Sequence, residues 1–335
     1  MTRIFLTGGS GYIGGQVLHT LQSTHPEYEC VALLRDSDKA AIVSKAYPRV
    51  RVVLGDLDSL SLIEEEARQA DVVINAATYK HQPSIEAIAR GLANRPTPGY
   101  WVQISGASIL SIPDIVNNRF GEAAGKVYDD VKDAAEIREI IKQNADTRVA
   151  DNYLVNLQGP KTALVFPPII YGKGSGPVNQ RSIQIPELSR VAIQTRQTVQ
   201  VGKGESTWSN IHISDLANVF VGLVEKAVEG AEGAFWNQDG LYFVGNADVL
   251  SFGKISQLVA EAAHSLGLTD STSVKSVSAS EADELTGKGS VFWGTNAWQH
   301  SQRATKFLGW SQKAHSLEQE IPVTVKAEAT RLGKL

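Results

Sequence analysis

Short apolar runs at Arg3 to Thr7, Glu29 to Leu34, Arg51 to Leu54, Asp71 to Ala76, Tyr100 to Ser105 and Thr162 to Phe166 read as strands. Between them, Tyr12 to Thr24, Ser37 to Ala46, Ser59 to Gln69 and Ser84 to Asn94 repeat their apolar residues at helical spacing. Strands joined by helical crossovers run parallel, and a parallel sheet of this kind is covered by helices on both faces. The expected fold is therefore α/β, a doubly wound parallel sheet, with ligands gathering at the carboxyl ends of its strands.

The first strand end carries the most chemistry. Arg3-Ile-Phe-Leu-Thr7 runs directly into Gly8-Gly-Ser-Gly11-Tyr-Ile-Gly14. In such a turn Gly8 reverses the chain tightly, Gly11 admits a pyrophosphate to the backbone, and Gly14 lets the helix lie close to the strand. The N–H groups at the helix start, at Tyr12 and Ile13, then face the anion. With 29 glycines in 335 residues the spacing alone decides little. What decides for an anion site over an ordinary turn is the strand before it and the helical Val17, Leu18 and Leu21 after it.

Arg35 follows the second strand, where an acidic residue would hold the ribose hydroxyls of NAD(H). A guanidinium there forks onto a 2′-phosphate, so NADP(H) is the expected cofactor and NAD(H) the less favoured one. The alternative is a surface arginine paired with Asp36 or Asp38. After the third strand, Gly55-Asp56-Leu57 offers a carboxylate and a backbone N–H near the adenine, and after the fourth, Asn75-Ala76-Ala77 offers small residues beside the cofactor.

A composition of 42% apolar and 20% charged residues with net charge −4 describes a soluble globular protein of one large domain or two joined ones. Scattered charge with no basic stripe argues against nucleic acid and anionic membranes as partners. No apolar run approaches the ~20 residues of a spanning helix, and the chain opens on a core strand in place of a signal peptide, so a cytoplasmic location is expected. A single cysteine, Cys30, leaves no intrachain disulfide to form and is expected to be buried. Seven scattered histidines show no metal-ligand spacing.

Thr7-Gly-Gly-Ser-Gly-Tyr-Ile-Gly14, Gly55-Asp-Leu57 and Asn75-Ala-Ala77 recur with three later segments. These are Phe166-Pro-Pro168-Ile-Ile-Tyr-Gly172, Ile211-His-Ile-Ser-Asp-Leu-Ala217 and Arg303-Ala-Thr-Lys-Phe-Leu-Gly-Trp310. Together they resemble the extended short-chain dehydrogenase/reductase superfamily, which includes nucleotide-sugar epimerase/dehydratases and dihydroflavonol-reductase-like enzymes. The resemblance implies a nicotinamide lying over the segment that contains Pro168. It also implies a catalytic hydroxyl after the fifth strand and a Tyr-x-x-x-Lys pair on the next helix. The match here is Tyr128-Asp-Asp-Val-Lys132, with Gly106 in the hydroxyl's usual place and Ser105, or alternatively Ser108, as its substitute upstream. In that scheme Tyr128 exchanges a proton with the substrate oxygen, Lys132 lowers the phenol's pKa, and Ser105 polarises the carbonyl.

Residues 133–161 separate Lys132 from the next strand, where a crossover helix with a short loop needs about 20. Asp133 to Gln143 and Arg148 to Leu157 both read as helical. Tyr128 therefore stands either on the catalytic helix or on an insertion that precedes it.

The cofactor domain is expected at residues 1–170 plus 210–238. A smaller α+β substrate cap is expected at 171–209 plus 239–335. In the cap, Gly172 to Gln180 is a glycine-rich loop over the substrate, with Asn179, Gln180 and Arg181 as contact candidates. Trp208, Asn210 and His212 line the returning strand, a buried His212 holding a backbone carbonyl being favoured over a catalytic one. Leu241 to Val244 reads as a strand, Ser251 to Leu266 as a helix, and Ser271 to Gly289 as a solvated connection. Trp293, Trp298 and Trp310 read as packing anchors.

The function expected is an NADP(H)-dependent oxidoreductase acting on a small or medium-sized carbonyl or alcohol, as a monomer or homodimer. Two alternatives stand beside it: an epimerase, dehydratase or lyase of the same fold, and a cofactor-sensing regulator without catalysis.

Overall fold

Side chains along a strand alternate between its faces, and in the first strand that alternation divides the protein's interior in two. Ile4 and Leu6 join one core with Val17, Leu21, Val43 and Phe220, whereas Phe5 joins another with Ile63, Ile85 and Leu154. Both faces being apolar, the strand can only lie inside a sheet covered on both sides.

The computed structural model describes residues 2–245 and 249–335. In chain order its first elements are β1 (Arg3–Thr7), α1 (Tyr12–Thr24), β2 (Glu29–Leu34), α2 (Ser37–Ala46), β3 (Arg51–Leu54), α3 (Leu60–Gln69), β4 (Val72–Asn75), α4 (Gln82–Ala93) and β5 (Tyr100–Ile104). A short helix α5 (Ile112–Val116), the two-residue strand β6 (Tyr128–Asp129), α6 (Ala134–Gln143) and α7 (Val149–Asn156) lead to β7 (Lys161–Phe166). Then come β8 (Ile169–Tyr171), α8 (Gln184–Thr195), β9 (Thr198–Val201), β10 (Thr207–Trp208), β11 (Asn210–His212) and α9 (Ile213–Val228). The last part holds β12 (Leu241–Phe243), β13 (Leu250–Ser251), α10 (Phe252–Ser265), β14 (Val274–Val277), α11 (Ala279–Thr286), α12 (Gly289–Gly294), β15 (Gln299–His300), α13 (Gln302–Leu308) and α14 (Leu317–Arg331).

Seven strands form one parallel sheet in the order β12-β7-β5-β4-β1-β2-β3. The order reverses beside β1, which opens the crevice where ligands of such sheets bind. Leu241–Phe243, expected in the cap, is instead the edge strand of this sheet, pairing in parallel with Leu164 to Phe166 of β7. All three of its residues are buried, a pattern a sheet covered on both faces imposes. The smaller α+β part packs α8, α10 and α14 together through Leu188, Ile255, Val259 and Val325, beside the parallel pair β9–β14.

Ser271 to Gly289 is not a bare connection, since it contains β14 and α11. The strand is fixed by pairing with β9, and the helix by a capping box in which Ser278 and Glu281 satisfy each other's backbone N–H groups. Trp293 is fully buried and Trp310 nearly so, as packing anchors should be, whereas Trp298 is half-buried at the edge of a cleft. Cys30 is buried in the sheet, and burial pushes its thiol up to about 11. Among the described residues no helix is long and apolar enough to cross a membrane.

Candidate functional site

Gly8 has φ +82°, a left-handed value that favours glycine, and a Cβ there would lie 2.6 Å from the Ala76 carbonyl carbon. A Cβ on Gly14 would lie 2.3 Å from the Gly8 oxygen, so α1 approaches the turn as closely as backbone can. Gly11 caps α1 without a side-chain bond, and no acidic residue occupies the first turn. Among the described residues the N–H groups of Tyr12 and Ile13 meet no acceptor. A helix start left open in this way suits an anion, because the unsatisfied donors and the helix dipole act together.

The neighbouring strand ends supply the rest of the crevice. Arg35 is exposed after β2, and among the described residues it has no hydrogen-bond or ion-pair partner. Asp36 feels the Arg35 charge but makes no hydrogen bond to it: its carboxylate accepts the Asp38 and Lys39 N–H groups, each at 3.0 Å, and caps α2. Asp56 is exposed and accepts the Ser59 hydroxyl and the Asp58 N–H, bonds that hold its carboxyl below the usual range. Leu57 beside it is half-buried. Ala76 and Ala77 lie against the glycine turn, and Pro168 is buried after β7.

Beneath these residues a buried polar chain ties three strands together. The Thr7 hydroxyl donates to Asn75 Oδ1 at 2.6 Å, Asn75 Nδ2 donates to Gln103 Oε1 at 2.9 Å, and Gln103 Nε2 donates to the Ile104 carbonyl at 2.7 Å. Thr7 and Gln103 were not singled out from the sequence, in which polar residues closing apolar runs look like ordinary strand ends.

After β5, Ser105 donates to Asp151 Oδ2 at 2.7 Å. Asp151 belongs to α7 and is completely buried, and among the described residues its Oδ1 has no hydrogen-bond partner. Burial drives its carboxyl up to about 6, against the opposing pull of Arg148 and the Ser105 bond. Arg148 is also buried, but its donors are directed elsewhere: Nη2 to Ser108 Oγ at 2.9 Å and Nη1 to the Gly106 carbonyl at 3.3 Å. Its nearest approach to Asp151 is 3.9 Å, and its guanidinium lies 5.3 Å from the Tyr79 ring centre.

Tyr128 and Lys132 do not share a helical face, as their spacing led us to expect. Tyr128 lies in β6, paired with Gln299 of β15, and Lys132 is an exposed turn residue whose N–H donates to Asp129 Oδ1 at 2.9 Å. The cause is Asp130, whose buried carboxylate accepts the N–H groups of Phe243 and Arg303, each at 3.0 Å, and pins the segment to β12 and α13. The helix that crosses from β5 to β7 is α7, so the segment before it is the insertion. Tyr128 lines a cleft of about 190 Å³ with Asp114, Arg119, Lys126 and Trp298, and Lys126 Nζ stands 4.6 Å from its ring centre.

On the cap side, the Tyr12 hydroxyl donates to the Gly172 carbonyl at 2.6 Å and Ser175 N–H donates to Gln16 Oε1 at 2.7 Å, seating the glycine-rich loop on α1. Arg181 is held by Glu187 and Glu328, Asn179 accepts the Arg181 N–H, and Gln180 donates to the Gly176 carbonyl. All three border a groove of about 410 Å³ against α14. His212 does not hold a carbonyl. Its Nδ1 accepts the Ser214 N–H at 3.2 Å and caps α9, and burial and His315 lower its pKa. Trp208 is fixed by donation to the Thr295 carbonyl.

Residues 8–146 match a family model described as NAD(P)H-binding. Over 99% of both chains, the protein is 36% identical to the oxidase ucsJ of an Acremonium species. It belongs to the extended short-chain dehydrogenase/reductase superfamily. Solved structures of low identity have the same fold. The PbgP3 protein of Burkholderia pseudomallei superposes with a TM-score of 0.67 at 17% identity, covering 99% of this chain and 97% of that one. A UDP-glucuronic acid 4-epimerase of Bacillus cereus, solved with UDP-glucuronic acid and NAD, gives 0.65 at 15% identity over 98% and 100% of the two chains. The NAD(P)H-binding domain is as expected, and α7 brings an Arg-x-x-Asp to Ser105. Asp151 and Arg148 were missed in the sequence because their i, i+3 spacing reads as a surface pair.

Proposed function

We propose that the protein is an NADP(H)-dependent oxidoreductase that reduces a carbonyl, or oxidises an alcohol, of a small or medium-sized organic metabolite. The observation that carries the cofactor choice is the exposed Arg35 at the end of β2, which has no hydrogen-bond or close ion-pair partner among the described residues, with Asp36 committed to capping α2. An exposed guanidinium beside a carboxylate already in use as a helix cap suits a 2′-phosphate better than a ribose hydroxyl. The open start of α1, with Gly8, Gly11, Tyr12 and Ile13, fits the pyrophosphate. Asp56 and Leu57 fit the adenine end, and Ala76, Ala77 and Pro168 fit the nicotinamide end. When bound, the dinucleotide supplies or accepts a hydride. Ser105 then serves as the hydrogen-bond donor to the substrate oxygen, and the cap at Gly172 to Arg181 covers the substrate.

Titration of the protein with NADPH and NADH, read by tryptophan fluorescence, tests this reading. The expected result is tighter NADPH binding, with the preference lost in Arg35→Ala while NADH affinity stays unchanged. Loss of one charge-assisted contact is worth about 1.5–3 kcal/mol, or roughly 10- to 150-fold in Kd. Tighter NADH in the wild type refutes the cofactor assignment. NAD retained in stoichiometric amount through purification would point instead to a non-redox, epimerase-like use.

A further inference from the structure

We infer that Ser105 and Asp151 form the proton-transfer couple of this protein, Ser105 meeting the substrate oxygen and Asp151 supplying and receiving the proton from behind. This rests on the reductase reading above and replaces the Tyr-Lys pair that the structure does not assemble.

The geometry carries it. Ser105 follows β5 at the carboxyl edge of the sheet, where ligands of such sheets bind, and its hydroxyl is 2.7 Å from a carboxyl that has no other hydrogen bond among the described residues. A carboxylate so buried would leave Oδ1 charged and unsatisfied, whereas a neutral carboxyl can donate through Oδ2 to Ser105. The Ser105 hydrogen is then free to turn forward. Among the described residues Arg148 is the charged group facing Asp151, Tyr79 is the titratable group behind Arg148, and Ser105 is the hydrogen-bond partner on the strand side. Arg148 directs Nη1 to the Gly106 carbonyl and Nη2 to Ser108 and stands 3.9 Å from Asp151, close enough to receive a carboxylate without hydrogen-bonding it at rest. Burial raising the Asp151 carboxyl to about 6 agrees with a group that changes charge near neutrality.

In the reducing direction the carbonyl carbon gains the hydride pair while its oxygen takes the Ser105 hydroxyl proton. The Ser105 oxygen in turn takes the Asp151 proton, leaving a carboxylate beside Arg148. Water returns that proton through Ser105 after the alcohol departs. Asp151 acts through Ser105 and is a positioning and relay residue.

The test counts protons released on cofactor binding, by calorimetry of the full chain at pH 6 in buffers of different ionisation enthalpy. NADP⁺ carries a positive nicotinamide ring and NADPH does not, whereas their 2′-phosphates are the same and cancel in the comparison. With half of the Asp151 groups protonated at about pH 6, NADP⁺ should release up to about half a proton more than NADPH. Asp151→Asn should bind both dinucleotides and abolish the difference. Ser105→Ala removes a bond that favours the carboxylate, so it should keep the difference but move its maximum to higher pH. This second variant carries the test if Asp151→Asn does not fold. Equal proton counts for the two cofactors in the wild type, or a difference that persists in Asp151→Asn, overturn the couple while leaving the cofactor reading intact. A chain that binds neither dinucleotide overturns both.

Discussion

Replacing Asp151 by Asn should stabilise the protein, increasingly so as the pH rises. Asp151 is fully buried and its folded carboxyl lies near 6, above the unfolded value of 3.8. A folded state that holds its proton more tightly than the unfolded chain loses stability as pH climbs from about 4 to about 6. A shift of that size corresponds to roughly 3 kcal/mol across the window. Asn carries no charge to bury, and either end of its amide can meet the Ser105 hydroxyl, which both donates and accepts. For a chain of 335 residues the gain amounts to about 4 °C in Tm. Thermal melts followed by circular dichroism, from pH 4.5 to 8 on both proteins, read it directly. The difference should widen up to about pH 6.5 and then level off. A variant that is several degrees less stable at pH 8 would show that Asp151 is held as the ion-pair partner of Arg148, because breaking a buried pair costs about 3–5 kcal/mol. That outcome refutes the neutral carboxyl.

Other expectations follow from single contacts. Gly14→Ala should abolish NADPH binding or lower it more than tenfold in the fluorescence titration, because its Cβ would stand 2.3 Å from the Gly8 oxygen. The native protein should not react with a thiol reagent such as DTNB at pH 8, and one equivalent should appear on unfolding, since Cys30 is buried and its thiol is driven up to about 11.

The cofactor half of the protein was largely legible in its sequence. Strands with apolar residues on both faces and helices with one apolar stripe leave little freedom in element type, and β1, β2, β3, α1 and α2 begin and end where the pattern changes. The cap was harder. Lys275 and Ser276 of β14 are exposed, so no alternation betrays the strand, which depends on β9 beside it. The helix after it did carry a signal, the Ser278-x-x-Glu281 capping box, hidden in a polar stretch. The candidate site shows the same divide. Glycines and strand-end residues have fixed local roles and are found by spacing, whereas Tyr128 and Lys132 satisfied a spacing rule without the helix that gives it meaning. What displaced them was Asp130, bound to backbone groups more than a hundred residues away in the chain, a contact no local pattern contains.

The side-chain chain from Thr7 through Asn75 to Gln103 has an evolutionary consequence. Each member is buried and satisfied by the next, so changing one strands an amide or hydroxyl in the interior at a cost of about 1–3 kcal/mol. Drift at these three positions must therefore proceed by matched substitutions, while the exposed rim at Arg35, Asp56 and Ala77 is free to change singly. Lineages descended from such a chain can retune which dinucleotide they accept far more readily than they can rebuild the platform on which it rests.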